Sequence, residues 1–409
     1  MPPDNFLKNT TTFEKLGLFL WLLALILIFA KVVLEPGSHS VVDSYLLGGQ
    51  RWVDRVALYS GPGGFIYTPL FALLFTPFLH ISEAMTDLLW RLFIIFLYLY
   101  SLIALIRMIS DAPAKTMGKW LGMMSIIAVP IAFSGFRNGQ VNVILTAVMV
   151  LVVCQIAEKR WNSAAILLAL VMSLKPTFIV FFLLTTTLFR PLWLRVPVLL
   201  LFFLALPMLF GGWQYGWQQY INFIEMAQSA MHHGVHNQNF ASLFNVFQVF
   251  GVFISDHSQH LIKVILAGAT WLLCWFAIRQ FDTKTALLYL LTFASCYHLM
   301  FNPRSVNTDY IILGTVLALW FTCAIYLWNN KRLALAVGLI SLGVLEAFDL
   351  SRTLVPGSTS WVNPLMGLLF SILVIWQLFQ KRTFVKQTSA HQPLPDQPIT
   401  RLEKRSQLE

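Results

Sequence analysis

Charged side chains are scarce in this 409-residue chain: Asp, Glu, Lys and Arg make up 11% of it, against roughly 25% in soluble proteins. With 57% hydrophobic residues and a mean hydropathy of +0.70, a water-soluble globule around one core is excluded. Apolar runs of membrane-spanning length recur instead. An all-α, polytopic transmembrane bundle follows, because only helices satisfy their backbone polar groups within each spanning segment. Cysteine is scarce too. Cys154, Cys274, Cys296 and Cys323 all lie in apolar segments, no pair has metal-site spacing, and none sits in a loop placed for a disulfide. Acids are outnumbered by bases, 18 to 28, for a net charge of +10. The bases sit mostly in short loops and the tail, which is the positive-inside pattern. Nucleic acid is not an expected partner. No small-x-small cleavage site follows residues 16–34, and that run is long for a signal sequence, so it reads as a retained first span. There is no internal repeat, which weighs against a repeat-built transporter.

The apolar segments run over 16–34, 88–108, 119–134, 141–157, a broken pair 163–173 and 177–189, 196–212, 261–279, 285–300, 309–328, 332–349 and 362–380. Segment 66–81 is short and carries Pro69 and Pro77; runs of this kind are more often re-entrant or interfacial than spanning. Charge decides its placement. If it does not cross, the inner segments hold 19 of the 28 Lys and Arg residues, as the orientation bias requires. Twelve spans are expected, with both termini cytoplasmic and 66–81 dipping into the outer leaflet. The long loops 35–87 and 213–260 then face outward, with their aromatics, amides and histidines. A single membrane domain is expected over 1–380, and 381–409 reads as a polar, disordered cytoplasmic tail.

Five outer stretches carry groups capable of chemistry. In V-V-D-S-Y, Asp43 is either a general base held against an acceptor hydroxyl or a solvated loop acid or helix cap; Asp54 pairs at helical spacing with Arg51 and Arg55. In S-G-F-R-N-G-Q-V-N, Arg137 is either a bidentate anion ligand or an interfacial arginine in a capped turn. Gln140 and Asn142 open the next helix, whose N-terminus favours anions. In S-L-K-P-T, Lys175 interrupts a long apolar run at a cost of roughly 2.5–3.5 kcal/mol, so it needs a partner; Pro176 breaks the helix there. The alternative is snorkelling to the surface. The loop M-H-H-G-V-H-N-Q-N-F has three histidines but no acid beside them, so Asn237, Gln238 and Asn239 read better as sugar-hydroxyl ligands than His232, His233 and His236 do as metal ligands. In F-N-P-R-S-V-N-T-D-Y, Arg304 and Asp309 flank an outer turn, either lining the same cavity or pairing with each other.

Together these stretches resemble the polyprenyl-phosphate-sugar-dependent glycosyltransferases of the C-type (GT-C) fold, and most closely glycosyltransferase family 87, the alpha-mannosyltransferase-like group. The matching features occur in family order: V-V-D-S-Y, then G-G-Q and L-Y, F-I-Y-T-P-L, R-N-G-Q-V-N, L-K-P, H-N-Q-N-F and N-P-R-S. The resemblance implies Asp43 as catalytic base, surface-lying helices in the first outer loop, a lipid-phosphate sugar donor and inversion at the anomeric carbon. Many proteins of this fold carry a second acid in the turn corresponding to 135–140, often as a metal ligand. This chain has Arg137 and no acid there, so neither a metal nor another cofactor is expected. The family often shows a histidine after the late proline motif, where this chain reads N-T-D-Y.

The expected activity is transfer of a sugar, a hexose such as mannose, from a polyprenyl phosphate to a lipid or glycan acceptor at the outer face of the plasma (inner) membrane. Arg137, Lys175 and Arg304 are the candidate donor-phosphate ligands. Tyr45, Tyr67, Asn138, Gln140, Asn142, Asn237, Gln238 and Asn239 are the candidate sugar or acceptor ligands. The competing readings are a transporter or flippase of an anionic lipid-linked glycan and a glycan ligase.

Overall fold

Helices account for all the regular structure among the described residues, 10–35, 37–38, 40–60, 65–110, 114–235, 240–302, 305–356 and 358–384 of a computed structural model. The first span, α1 (Thr10–Leu34), leads to a short surface helix, α2 (Val42–Val53), and then to α3 (Pro69–Phe75), which tightens into a 3-10 turn, Thr76–His80. A long helix, α4 (Glu83–Ile109), pairs with α5 (Ala114–Asn138). After these come α6 (Val141–Ala157), α7 (Trp161–Leu174), α8 (Ile179–Leu188), α9 (Arg195–Gly211) and α10 (Trp213–Val235). The last seven are α11 (Leu243–Val249), α12 (Asp256–Gln280), α13 (Thr283–Phe301), α14 (Ile311–Tyr326), α15 (Lys331–Leu345), α16 (Ala347–Leu354) and α17 (Val362–Phe379).

Among the described residues, seven helices are long and apolar enough to cross a bilayer: Thr12–Leu34, Glu83–Ile109, Met117–Asn138, Arg190–Gly211, Asp256–Gln280, Asn307–Tyr326 and Val362–Phe379. The pair α15–α16, bent by 73°, makes an eighth if taken as one span. The other apolar segments read from the sequence are helices too, and two of them lie inside the bundle. In α6, 15 of 17 residues are buried, and α13 is buried without interruption from Thr285 to Phe301. A helix that is apolar on every side belongs in such a position. Exposed apolar side chains mark the outer helices, among them Leu18, Phe19 and Ile26 of α1, Val198 and Leu201 of α9 and Val264 of α12.

Two features shape the bundle. The first is the crossing of α1 and α5 at Gly17 and Gly122. A Cβ on Gly17 would stand 2.5 Å from the Gly122 Cα, and one on Gly122 would stand 2.5 Å from the Phe13 carbonyl oxygen. Small residues permit this backbone-on-backbone approach between helices in lipid, and Trp21 adds a hydrogen bond to Ser125 at 2.9 Å. The second is the shortness of α7. Its 14 residues rise about 21 Å at 1.5 Å each, well short of a hydrocarbon core of about 30 Å. The helix therefore breaks short of a full crossing, and the segment entering α3 packs on the break. The α3 segment is itself too short to cross, with seven α-helical and five 3-10 residues.

At the opposite end, residues after α17 dock onto the bundle. Phe384 is fully buried against the rings of Tyr289, Trp320 and Trp328, and its backbone N–H donates to Thr285 Oγ1 at 3.2 Å. The polar tail read from residue 381 onward thus starts with three residues, Arg382, Thr383 and Phe384, held on the bundle; 385–409 lie outside the described residues.

Candidate active site

Helix α2 lies on the bundle with one face in and one face out. Val42, Tyr45, Gly48, Gly49 and Trp52 are buried while Asp43 and Gln50 are exposed. The two glycines are required by the close approach of the next segment. A Cβ on Gly48 would meet the Phe65 ring at 2.4 Å, and one on Gly49 would meet the Phe75 backbone at 3.2 Å. The start of α2 is tied to the turn between α5 and α6, where the Val41 N–H donates to the Asn138 carbonyl at 3.1 Å.

Tyr45 and Tyr67 are not at the surface. Tyr45 is fully buried among Tyr67, Phe71, Phe75 and Trp90. Its hydroxyl lies 3.2 Å from that of Tyr67 and accepts from the Val141 N–H at 3.3 Å. Burial pushes both phenols up, so they stay neutral. The sequence-based expectation of sugar ligands therefore gives way at these two positions to packing. Aromatic size and a satisfied hydroxyl explain their pattern better than substrate contact.

Asp43 occupies the first turn of α2 and meets acids rather than bases. Partial desolvation, the charge of Glu83, a hydrogen bond with Glu83 and the charge of Asp87 raise its carboxyl from 3.8 to about 6. Asp87 is itself buried and held by Arg91, with Oδ1 accepting from Nε and Oδ2 from Nη2, both at 2.8 Å. It also accepts from Ser40 Oγ at 2.8 Å. Arg91 donates its remaining arm to the Arg137 carbonyl. Asp87 and Arg91 thus join Ser40 to the Arg137 turn, with Asp43 near Asp87 as a like charge. The sequence reading missed Glu83, Asp87 and Arg91 because it began the span at residue 88. The signal was present as E-x-x-x-D-x-x-x-R, an i, i+4 ladder along one helix face.

Lys175 sits at the break expected from its proline. The residue is extended (φ −147°, ψ 97°), and a 3-10 turn, Pro176–Phe178, follows. The freed carbonyls of α7 are satisfied by the segment entering α3: Thr68 donates its N–H to the Leu174 carbonyl at 3.3 Å and its hydroxyl to that of Ser173. Lys175 Nζ donates to Asn142 Oδ1 at 2.7 Å and lies 5.7 Å from the centre of the Tyr67 ring. The Asn142 amide nitrogen in turn donates to Asp309, whose other oxygen accepts from the Val306 N–H at 2.9 Å. Lys175 and Asp309 attract one another across this amide. Asn142, expected as a sugar ligand, has both ends of its amide engaged by protein groups and positions the lysine. Asp309 binds on this network; its expected companion Arg304 lies outside the described residues. His298, another residue the sequence reading passed over, is 5% exposed and stacks on Phe178 at 4.4 Å.

Arg137 is half-buried, its Nε donating to Asn138 Oδ1 at 3.2 Å. Gln140 precedes α6 without capping it through its side chain. Asn237, Gln238 and Asn239 fall outside the described residues, as does His236. No three of His, Cys, Asp and Glu among the described residues are grouped to hold a metal ion. Asp43, the 137–142 turn and the Lys175 break therefore share one end of the bundle, with the Tyr45–Tyr67 pair between them.

The family model of glycosyltransferase family 87 matches residues 65–303, more than half of the chain. The chain belongs to this family. It is a membrane glycosyltransferase of the GT-C type. No curated protein and no solved structure matches it significantly. Asp43 lies ahead of the region matched in this family 87 enzyme.

Those contacts make a role for Asp43 testable by pH. If Asp43 is the general base it must be ionised, and the rate is then expected to fall as pH drops through about 6. Because Asp43 is exposed, the Glu83 contact is the cause a substitution can remove. Glu83→Gln is expected to shift the acid limb of the kcat/KM profile toward lower pH. An acid limb unmoved by this change, in a folded protein, would detach Asp43 from the profile.

Proposed function

We propose that this glycosyltransferase moves a hexose such as mannose from a polyprenyl phosphate to a hydroxyl of a lipid or glycan acceptor, with Asp43 as general base. The acceptor oxygen attacks the anomeric carbon, and the bond from that carbon to the phosphate oxygen breaks. The acceptor proton passes to an Asp43 carboxylate oxygen, and the electron pair leaves with the lipid phosphate. Attack from the opposite face inverts the anomeric centre. A phosphate leaving group needs no protonation, unlike the alcohol of a glycosidase. It needs its charge balanced, which is the role assigned to Lys175 and Arg137, with Arg304 as a further candidate. The N-terminus of α6 adds a favourable dipole. Asn138 and Gln140, on the same turn, are the remaining described candidates for sugar contact, with Asn237, Gln238 and Asn239 beyond them. With both termini cytoplasmic, as the basic loops favour, transfer runs at the outer face of the plasma membrane.

The observation that carries this reading is a surface carboxylate of raised basicity and a recessed lysine at one end of the same bundle. The test is incubation of the purified protein in liposomes with radiolabelled polyprenyl-phosphate mannose and a panel of lipid and glycan acceptors. A new labelled glycoside with an inverted linkage is the expected product. Label that only changes leaflet would establish a flippase, and transfer of an entire lipid-linked glycan would establish a ligase.

A further inference from the structure

Far from Asp43, a groove of about 770 Å³ lies between α5, α14 and α15, within the roughly 300–1,000 Å³ of small-molecule sites. One wall is Ile127, Pro130 and Ile131 of α5, and the floor includes Phe321. The other wall is the ladder Leu335, Leu339 and Leu342 of α15, whose side chains are 64%, 59% and 57% exposed. The groove is therefore open sideways, toward the bilayer. Its polar groups are distributed unevenly. Ser341 is turned back to the Val337 carbonyl at 2.7 Å, whereas Asn329, Asn330 and Lys331 gather at one end, at the turn from α14 to α15, with exposed Arg332 next in sequence.

An apolar trough along a span, ending in amides and a cation at the membrane edge, has the polarity of an amphiphile. The cation fixes the sign of its head group, since each basic residue near an anionic lipid surface contributes about 1 kcal/mol. We propose that this groove holds one hydrocarbon chain of an anionic membrane phospholipid, its phosphate resting against Lys331 and the amides of Asn329 and Asn330. The site is at the opposite end of the bundle from Lys175 and does not depend on the sugar-transfer reading.

The proposal is tested by native mass spectrometry of the delipidated, full-length protein in detergent, titrated with phosphatidylglycerol, phosphatidylcholine or inorganic phosphate. Wild type is expected to retain one phosphatidylglycerol about fivefold more tightly than phosphatidylcholine, the worth of one lysine near a charged head group, and to retain no inorganic phosphate. Lys331→Gln is expected to abolish the head-group preference. Gly338→Leu is expected to abolish retention of both lipids, because a Cβ there meets only the Phe321 ring, at an ordinary 3.5 Å, and longer side chains grow into the groove. Equal retention of the two lipids by wild type, or unchanged retention in both variants, would overturn the proposal. Displacement of the lipid by inorganic phosphate alone would do the same. If Gly338→Leu does not fold, Lys331→Gln decides the outcome alone.

Discussion

Asp43→Asn is expected to stop sugar transfer, with kcat down by about 10²- to 10⁴-fold, the usual contribution of a positioned general base. Asparagine keeps the shape of the side chain but cannot accept the acceptor's proton. Folding should be unaffected or slightly improved. The wild-type carboxylate stands beside Glu83 and Asp87, and its charge is resisted there, as its raised pKa of about 6 records. Removing that charge relieves repulsion and leaves the buried face of α2, from Val42 to Trp52, untouched. The measurement is single-turnover transfer with the lipid-phosphate donor, beside a thermal unfolding curve. A wild-type rate in Asp43→Asn would remove the residue from the mechanism. The second carboxylate to compare is Asp54, which accepts from Gln50 at 3.0 Å at the far end of α2; Asp54→Asn should transfer normally.

The second large effect is at Lys175. Loss of one preorganised cation or donor facing developing charge typically costs about 10²–10³ in rate, and Lys175→Gln is expected to fall in that range with a higher KM for the donor. This variant also disturbs the network, because it leaves buried Asp309 held by Asn142 and the Val306 N–H but without the lysine's charge. Asn142 then loses its hydrogen-bond donor and Asp309 a nearby positive charge, so stability should drop as well. The double variant Lys175→Gln/Asp309→Asn separates the two roles. It is expected to recover much of the lost thermal stability and none of the lost activity. Recovery of both would make Lys175 purely structural, and the phosphate would then have to be met by Arg137 or Arg304.

Much of the arrangement was legible in the sequence because membrane proteins declare their helices through apolar runs and their breaks through proline. The pause at Lys175–Pro176 and the short segment 66–81 follow from such local rules, whereas a helix in the loop after the first span is implied by the family resemblance; all are present. What could not be read was which polar residues meet. Asn142 and Asp309 are 167 positions apart, and nothing local in R-N-G-Q-V-N or N-T-D-Y says that their side chains touch. Hence Asn142 looked like a free amide and Asp309 like one half of a loop pair. Tyr45 and Tyr67 misled for a related reason. A tyrosine near a carboxylate has the same signature whether its hydroxyl faces a sugar or another phenol, and only packing distinguishes the two. The ladder Glu83, Asp87 and Arg91 was overlooked because hydropathy places the start of a span at its first long apolar stretch, while a helix begins wherever its backbone does.

The glycine crossing between α1 and α5 also limits how the enzyme can move. Two backbones in van der Waals register leave no side-chain cushion to deform, so α1 cannot tilt or slide as a piston without parting from its neighbour.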